Sequence, residues 1–219
     1  MRVEAAAARR SAHQREWWDS IVRPATSDRD LESVFALRYR VYVEEYGKPY
    51  PGADHERRLL SDEWDTHSTV LVAERDGRVA GTIRGTLGSA PGFAEAHADV
   101  FGQLEEVHAV GWHRVACGSR LVVDAYARGH SRLAVALMVA IYAWAVRQGA
   151  VLCLCHTVAP LLPLMEKMGW QRRGEPFLHA DSSTLQYPMV LIVSDQEHLL
   201  SVGSPLASLH PREWREAVQ

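Results

Sequence analysis

A positively charged side chain stands within an apolar helical stripe early in the sequence. A helix over residues 31–45, with about 3.6 residues per turn, places Arg38 on that stripe and Arg40 on the opposite side. Burying a cation is costly unless it meets an anion or a ligand. Arg38 is therefore a candidate for ion pairing or ligand binding. The stripe consists of Leu31, Val34, Phe35, Val41 and Tyr42.

A histidine follows the short apolar run VLCLC, which reads as a buried strand. Strand ends in α/β sheets border the ligand crevice, and an imidazole that is neutral near pH 7 can remove a proton. His156 is therefore the candidate general base, and the alternative is a histidine that caps a turn. Cys117 has the chemistry of a nucleophile, but a single cysteine beside a strand is more often buried and unreactive.

The elements that would position these side chains follow from local patterns. Ser27 predicts a helix N-cap, and Gly47 predicts the end of that helix. Two β-rich runs joined by Asp76-Gly77 predict a β-hairpin over residues 68–86. Residues 88–113 show no clear periodicity.

The second half predicts a strand, a helix to about Gln148, a strand, a short helix and two final strands. In the first of these strands, Leu121 and Val123 share one face, and Arg120 and Val122 share the other. The element order predicts an α/β fold with a central mixed β-sheet flanked by helices. The predicted divisions are an N-terminal extension over 1–26, one domain over 27–193 and a C-terminal tail over 194–219.

The element order and the turn after the Leu121 strand resemble the GNAT superfamily of acyltransferases. In that family, this turn opens a helix whose N–H groups hold the phosphate or pyrophosphate of a pantetheine-bearing donor. The resemblance also implies that the fourth strand, at Leu121, Val122 and Val123, binds the donor and its thioester carbonyl. The matching turn positions are Arg128, Gly129, His130, Ser131, Arg132 and Leu133, with Ser131 and Leu133 where the family prefers small glycines.

Four charged motifs resemble one GNAT branch, the acyl-homoserine lactone synthases and long-chain N-acyl amino acid synthases. That branch carries R-x-x-x-F, D-x-x-D, G-x-x-R and E-x-S-R in this order. The resemblance implies an ion-pair network that shapes the acceptor pocket and orders the loop over it, with Arg84 and Arg120 in catalysis. The alternative is one structural salt bridge with unrelated surface charges. The implied substrate-binding positions are Arg38, Tyr42, Asp62, Asp65 and Cys117.

Three positions depart from the family patterns. Cys117 stands at the glutamate of E-x-S-R, and Met165 stands where many GNAT members carry a tyrosine acid. Lys48 follows Tyr46-Gly47, where the lactone synthases carry a tryptophan after Leu-Gly. The first and third departures argue against homoserine lactone synthesis and leave other amine acceptors open.

The resemblance implies an N-acyltransferase that moves an acyl group, expected to be fatty, from an acyl carrier protein or coenzyme A thioester. The acceptor would be the amine of an amino acid, an amine metabolite or a peptide. The thioester is a cosubstrate, so no permanent cofactor or metal is expected. Two alternatives remain: an ordinary acetyl-coenzyme A-dependent acetyltransferase and a non-catalytic sensor of acyl thioesters. Candidates for docking an acidic carrier protein are Arg128, Arg132, Arg172 and Arg173.

Composition limits the other classes of function. The chain has 219 residues and a formal net charge of −3, which gives no general attraction to nucleic acid or anionic membranes. Its basic start lacks the apolar core of a secretory signal, and no apolar run is long enough to span a membrane. Its 3 cysteines read as reduced, buried thiols. A cytoplasmic protein is therefore expected, and a homodimer is left open.

Overall fold

The computed structural model describes residues 21–128 and 132–209, in which a mixed β-sheet carries helices on both faces. Its strands are β1 (Val22–Pro24), β2 (Ser68–Arg75), β3 (Arg78–Leu87), β4 (Val115–Val123), β5 (Leu152–Thr157), β6 (Gln171–Arg172), β7 (Phe177–His179) and β8 (Thr184–Ile192). The order across the sheet is β1-β2-β3-β4-β5-β8-β6, and β7 pairs with β8. The β4–β5 pair is parallel, and the other described pairs are antiparallel. The predicted α/β class is confirmed.

The helices divide between the two faces of the sheet. They are α1 (Asp28–Tyr39), α2 (Phe93–Phe101), α3 (Glu105–Val110), α4 (Arg132–Arg147), α5 (Leu162–Lys167) and α6 (Gln196–Ser201). The long helix α4 packs with α5 and α6 against one face, in the largest hydrophobic cluster. Helices α1, α2 and α3 pack against the other face in smaller clusters. Residues that alternate along each strand therefore meet different helices.

Helix α1 begins where its sequence predicts. The Oγ of Ser27 accepts the backbone N–H of Asp30 at 3.1 Å, and the Asp30 carboxylate accepts the N–H of Ser27 at 3.3 Å. This capping box satisfies donors that have no partner within the helix. After Tyr39 the helix widens into a π-helical segment, Arg40–Glu45, and the chain leaves it through Gly47 at φ +61°. The predicted helix is therefore confirmed.

A bulge between β3 and β4 sets the orientation of the charged residues on β4. The β3–β4 register shifts between Thr82 and Arg84, and Arg120 adopts φ +55°, a left-handed conformation. Ser119 and Arg120 are adjacent in sequence, yet both reach side chains on the α1 face of the sheet. Beyond the bulge, Leu121 and Val123 pack toward α4 and Val122 packs toward α1, which confirms the predicted alternation.

The parallel neighbours β4 and β5 stay together for only part of their length. Their described ladder joins Val115 to Leu152, Ala116 to Cys153 and Cys117 to Leu154. Beyond this point β4 continues to pair with β3, and β5 continues to pair with β8. The two strands therefore separate and leave a gap between them on the side of their carboxyl ends.

Several packed segments carried no clear sequence signal. Residues 88–113 contain α2 and α3, which bury Phe93, Phe101 and Val107. Strand β1, within the predicted extension, pairs with β2, while Leu199 and Leu206, within the predicted tail, enter the main core. The packed unit thus extends past the predicted boundaries at 26 and 193, because these short apolar segments gain burial only from tertiary contacts. Residues 1–20 and 210–219 lie outside the described residues.

Across the two described ranges, each helix is too short or too polar to cross a membrane.

Candidate active site

The buried Arg38 of α1 forms an ion pair with Asp65. Arg38 is fully buried, and its Nη1 donates to both carboxylate oxygens of Asp65 at 2.8 and 2.9 Å. Its Cζ lies 5.5 Å from the centroid of the Phe35 ring. Within the described chain its Nε and Nη2 have no hydrogen-bond partner. The Asp65 pair thus neutralises Arg38 and ties the loop that bears Asp65 to α1.

A second carboxylate joins two arginines from adjacent strands. Arg84 of β3 and Arg120 of β4 both bind Asp62, with the Arg120 Nη2 and Nε at 2.5 and 3.1 Å from Oδ2. Arg84 also approaches Asp65 at 3.2 Å, and its Nε donates to the Oγ of Ser119 at 3.0 Å. The predicted motifs therefore meet in one continuous cluster, rather than as a single salt bridge with scattered charges.

The D-x-x-D spacing has a local structural cause. Asp62 caps a 3₁₀ turn, Glu63–His67, and its Oδ1 accepts the N–H of Trp64 at 3.0 Å. Asp65 accepts the N–H of Asp62 at 3.0 Å, which completes a capping box. The two carboxylates are thus fixed by one turn of backbone, with oxygens left to receive the arginines.

The cluster carries more positive than negative charge. Burial raises the pKa of Asp62, but Arg84 and Arg120 outweigh burial and hold it below its ordinary value. Asp62 is therefore ionised at neutral pH. Three guanidinium groups, from Arg38, Arg84 and Arg120, surround the carboxylates of Asp62 and Asp65. This surplus of positive charge favours anions and neutral amines over ammonium groups.

Two tyrosines cover Arg120 at the edge of this cluster. The Arg120 Cζ lies 5.0 Å from the Tyr50 ring centroid and 5.9 Å from that of Tyr42. The Tyr42 hydroxyl donates to the carbonyl of Leu121 at 3.3 Å, and burial raises its pKa to about 12. Tyr42 is therefore a neutral donor that connects the π-helical segment to β4.

A cavity of about 1000 Å³ occupies the gap between β4 and β5. On the α1 side of the sheet it is bordered by the charged cluster, at Asp62, Arg84 and Arg120, and by apolar side chains of α2 such as Val100 and Phe101. On the α4 side its wall is mostly apolar. The cavity therefore passes through the sheet from a charged region to an apolar one. The apolar wall includes Met138, Ile141, Tyr142, Trp144, Ala145, Met165 and Leu206.

His156 lines the α1 side of this cavity. Its Nδ1 lies 3.4 Å from Oε1 of Gln186, and its ring centroid lies 5.1 Å from that of His179. An amide oxygen only accepts, so Nδ1 carries the proton and Nε2 holds the lone pair. Burial, with His179 nearby, lowers the pKa of His156 to about 4. The imidazole is thus neutral near pH 7, as expected, but it is a weaker base than an ordinary histidine.

The cysteines of the cavity are buried thiols. Cys117 on the α1 side, and Cys153 and Cys155 on the α4 side, are all buried. Burial raises the pKa of Cys117 and of Cys153 to about 12. A thiol of this kind supplies almost no thiolate at neutral pH, which disfavours covalent catalysis by Cys117.

The predicted donor-binding positions divide between the cavity wall and the turn that follows it. Leu121, Val122 and Val123 line the cavity, whereas Leu133 is buried in the core. Gly129, His130 and Ser131 lie outside the described residues. Arg132, at the first position of α4, is exposed.

The arginines proposed for carrier docking are engaged with carboxylates where the structure describes their partners. Arg128 pairs with Glu45 and donates to the carbonyl of Val123 at 2.9 Å. Arg172 pairs with Glu166, and Arg173 pairs with Glu106, both at 2.7 Å. These pairs reduce the positive charge that the three arginines offer to a partner.

Several residues that line the cavity were not identified from the sequence. They are Lys48, Tyr50, Trp64, Thr86, His97 and His179. The sequence had marked Lys48 as a departure from the lactone synthases, without a role in the site, and the composition of KPYPG was the signal for Tyr50. His97 lies on α2, a helix that had no predicted pattern, and its Nδ1 lies 2.9 Å from the Phe93 carbonyl.

Comparison with known proteins agrees with this geometry. Residues 33–195 match the model of the family described as N-acyl amino acid synthase FeeM. The solved structure of FeeM, an N-acyl amino acid synthase from uncultured soil microbes, is 12% identical, with a TM-score of 0.64 over 87% of this chain and 98% of that one. BjaI, a CoA-dependent acyl-homoserine lactone synthase, is 19% identical, with a TM-score of 0.62 over 84% and 90%.

An acyl-CoA N-acyltransferase from Pseudomonas aeruginosa is also similar in fold. It is 19% identical, with a TM-score of 0.53 over 78% of this chain and 96% of that one. A search of curated protein sequences gave no match. The family assignment therefore rests on the sequence model, and the structural neighbours support the fold.

Proposed function

This chain belongs to the N-acyl amino acid synthase FeeM family and is an N-acyltransferase that uses an acyl thioester donor, and we propose that it transfers a fatty acyl group to the amine of an amino acid. The donor is proposed to be an acyl carrier protein or coenzyme A thioester. The observation that carries the proposal is the cavity between β4 and β5, with charge on one side of the sheet and an apolar wall on the other. This arrangement suits a substrate that joins a polar reacting centre to a long apolar chain.

The apolar wall supports a fatty rather than an acetyl donor. A cavity of about 1000 Å³ is far larger than an acetyl group requires. Its α4 side is formed by buried side chains such as Met138, Ile141 and Met165, which give an extended chain a dry environment. Each buried methylene contributes roughly 0.8 kcal/mol to binding, so chain length would affect selectivity strongly.

The proposed reaction is direct attack by the amine on the thioester. The amine nitrogen attacks the carbonyl carbon, the C–N bond forms, the C–S bond breaks and the thiolate departs. Backbone N–H groups of β4 near Leu121 are proposed to stabilise the carbonyl oxygen as it gains negative charge. The proton lost by the amine passes to His156 or to solvent, and the thiolate takes a proton from solvent, so the step is balanced.

The ion-pair cluster is proposed to prepare the acceptor. Its surplus positive charge lowers the pKa of a nearby ammonium group and favours the neutral amine that can attack. Arg38 and Asp65 hold the turn that carries Asp62, and Asp62 in turn holds Arg120 against Tyr50. Positioning of this kind accounts for a large part of the rate gain in two-substrate reactions.

One experiment tests the donor and the acceptor together. The purified protein would be incubated with acyl-coenzyme A or acyl carrier protein of several chain lengths and a pool of amino acids and amines, and the products analysed by mass spectrometry. A fatty acylated amino acid whose yield falls with Arg84→Ala, but not with Arg147→Ala on the exposed end of α4, supports the proposal. Acetylated products alone would favour an ordinary acetyltransferase. Donor binding without any product would favour an acyl-thioester sensor, for which the replacements at Cys117 and Met165 are the supporting observation.

A further inference from the structure

Lys48 lines the α1 side of the cavity beside the charged cluster. It follows Gly47 at the end of the π-helical segment, and its backbone N–H donates to the carbonyl of Tyr42 at 3.0 Å. Its Nζ lies 5.7 Å from the Tyr42 ring centroid and 5.8 Å from that of Tyr46. The ammonium group is therefore held between two aromatic rings at the cavity wall and is only partly open to solvent.

The other cations of the cavity wall have carboxylate partners. Arg84 and Arg120 bind Asp62, and Arg128 binds Glu45. Lys48 makes no ion pair within residues 21–128 and 132–209. The two further carboxylates that line the cavity, Glu63 and Asp181, are exposed and form no salt bridge with it.

The surroundings of Lys48 add positive charge rather than remove it. Burial, with Arg120 nearby, lowers the pKa of Lys48. Burial also lowers the pKa of His179, and the charges of Arg120 and Lys48 add to that effect against the opposing charge of Asp181. The adjoining cluster already holds three guanidinium groups against two carboxylates. A partly desolvated ammonium group in such a field is stabilised by an anion that enters the cavity beside it.

The position of Lys48 indicates which substrate carries that anion. The Tyr46 ring lies between Lys48 and Arg128, and Arg128 leads to the turn proposed for the phosphate of the donor. Lys48 shares its other ring, that of Tyr42, with Arg120 of the charged cluster. Both rings are equally close to Lys48, but the charge that adds to burial in lowering the pKa of Lys48 is that of Arg120 and not that of Arg128. The ammonium group therefore lies nearer to the charged cluster, at the acceptor end of the cavity, than to the phosphate end.

We propose that Lys48 binds the carboxylate of the acceptor and so selects free amino acids over amines and amides that lack a carboxylate. This inference rests on the proposed function and narrows its acceptor. The α-amine of an amino acid is two bonds from its carboxyl carbon, so a carboxylate held by Lys48 would leave the amine close by, toward Arg120 and the gap between β4 and β5. Peptide amines, whose first carboxyl group is an amide, would be poor acceptors.

The test compares acceptors that differ only in the carboxylate. The best amino acid acceptor from the product screen, its amide and the amine without the carboxyl group would be assayed with wild type, Lys48→Gln, Lys48→Arg and the control Lys167→Gln. For Lys48→Gln, the ratio of kcat/KM for the amino acid to kcat/KM for the amine should fall by about 10- to 100-fold, mainly through KM. Lys48→Arg should restore most of the ratio, and Lys167→Gln should leave it unchanged.

Two kinetic results would overturn the inference. An equal loss for the amino acid and the amine would make Lys48 a structural residue, and a rise confined to the KM of acyl-coenzyme A would assign it to the donor phosphate. Absence of product from the wild-type enzyme with every donor would instead refute the proposed function. The role of Lys48 would then be tested by saturation-transfer NMR, which would compare the binding of L-phenylalanine with that of L-phenylalaninamide in wild type and in Lys48→Gln. Equal binding by wild type and Lys48→Gln would reject its role.

Discussion

The two sides of the cavity are held in different ways. On the α1 side, buried ion pairs connect α1, the 3₁₀ turn, β3 and β4 through five charged residues: Arg38, Asp62, Asp65, Arg84 and Arg120. On the α4 side, apolar side chains from one long helix and its neighbours fill the space by packing. Ion pairs are directional and hold the groups that they join in one geometry, whereas an apolar wall can accommodate acyl chains of different shape. We therefore expect substitutions on the α1 side to affect stability and rate together, and substitutions on the α4 side to change donor preference.

The largest effect is expected from removing the carboxylate of the buried Arg38–Asp65 ion pair. Asp65→Ala leaves Arg38 buried without its anion and should lower the free energy of unfolding by about 3–5 kcal/mol. Glu32→Ala, which removes an exposed partner of Arg57, is the control and should change it by less than about 0.5 kcal/mol. Urea denaturation followed by circular dichroism measures both. Similar small losses for the two variants would show that the cluster does not hold the α1 side together.

A second substitution separates positioning from stability. Asp62→Asn weakens the hold on Arg84 and Arg120 and should reduce kcat/KM by about 100-fold, because small displacements of a reacting centre are costly. Asp62 is less buried than Asp65, so the loss of stability should be smaller. The exposed Asp99→Asn is the control. Full activity in Asp62→Asn would show that Asp62 is not needed to position the reacting groups.

A larger side chain in the apolar wall tests whether the α4 side of the cavity holds the acyl chain. Met138→Trp places a larger side chain in the apolar wall and should reduce kcat/KM for long acyl donors by about 10-fold while sparing short ones, since the cost comes from excluded methylenes. Met138→Leu conserves volume and serves as the control. Steady-state kinetics with donors of two lengths give the ratio. An equal loss for both donors would indicate general misfolding of the wall.

The smallest effect concerns pH. The pKa of His156 is lowered by burial to about 4 in the folded protein, against about 6.5 in the unfolded chain. The unfolded chain therefore binds the proton more readily between these values, and stability falls as pH decreases from about 6.5 toward 4. At pH 5, keeping His156 buried and neutral therefore lowers the free energy of unfolding by about 1–2 kcal/mol. His156→Gln should flatten the fall in urea midpoint between pH 7 and pH 5, and an unchanged slope would contradict the burial of a neutral imidazole.

The sequence predicted the elements that carry strong local signals. The Ser27 cap, the Asp76-Gly77 hairpin and the helix that ends near Gln148 depend on local stretches of sequence, and each is present in the structure. Helices α2, α3 and α6 are short and gain their stability from the sheet, so their sequences alone did not reveal them.

The members of the charged cluster could be predicted from the sequence, but the shape of the cavity could not. The spacing of the charged motifs anticipated the cluster through family resemblance, and Arg38 was conspicuous on an apolar stripe. The gap between β4 and β5 depends on where a ladder ends, which no short pattern encodes. Lys48 and His97 were missed for a similar reason, since lining a cavity is a tertiary property of otherwise ordinary residues.

The dependence of kcat/KM on donor chain length tests the central claim most directly. Wild-type enzyme would be assayed with saturated acyl-coenzyme A donors from two to sixteen carbons at a fixed amino acid concentration, with the matching carrier-protein donors in parallel. We expect kcat/KM to rise with each added methylene until the apolar wall is filled, by about fourfold for each 0.8 kcal/mol of burial. A maximum at the acetyl donor, with a steady decline for longer chains, would contradict it.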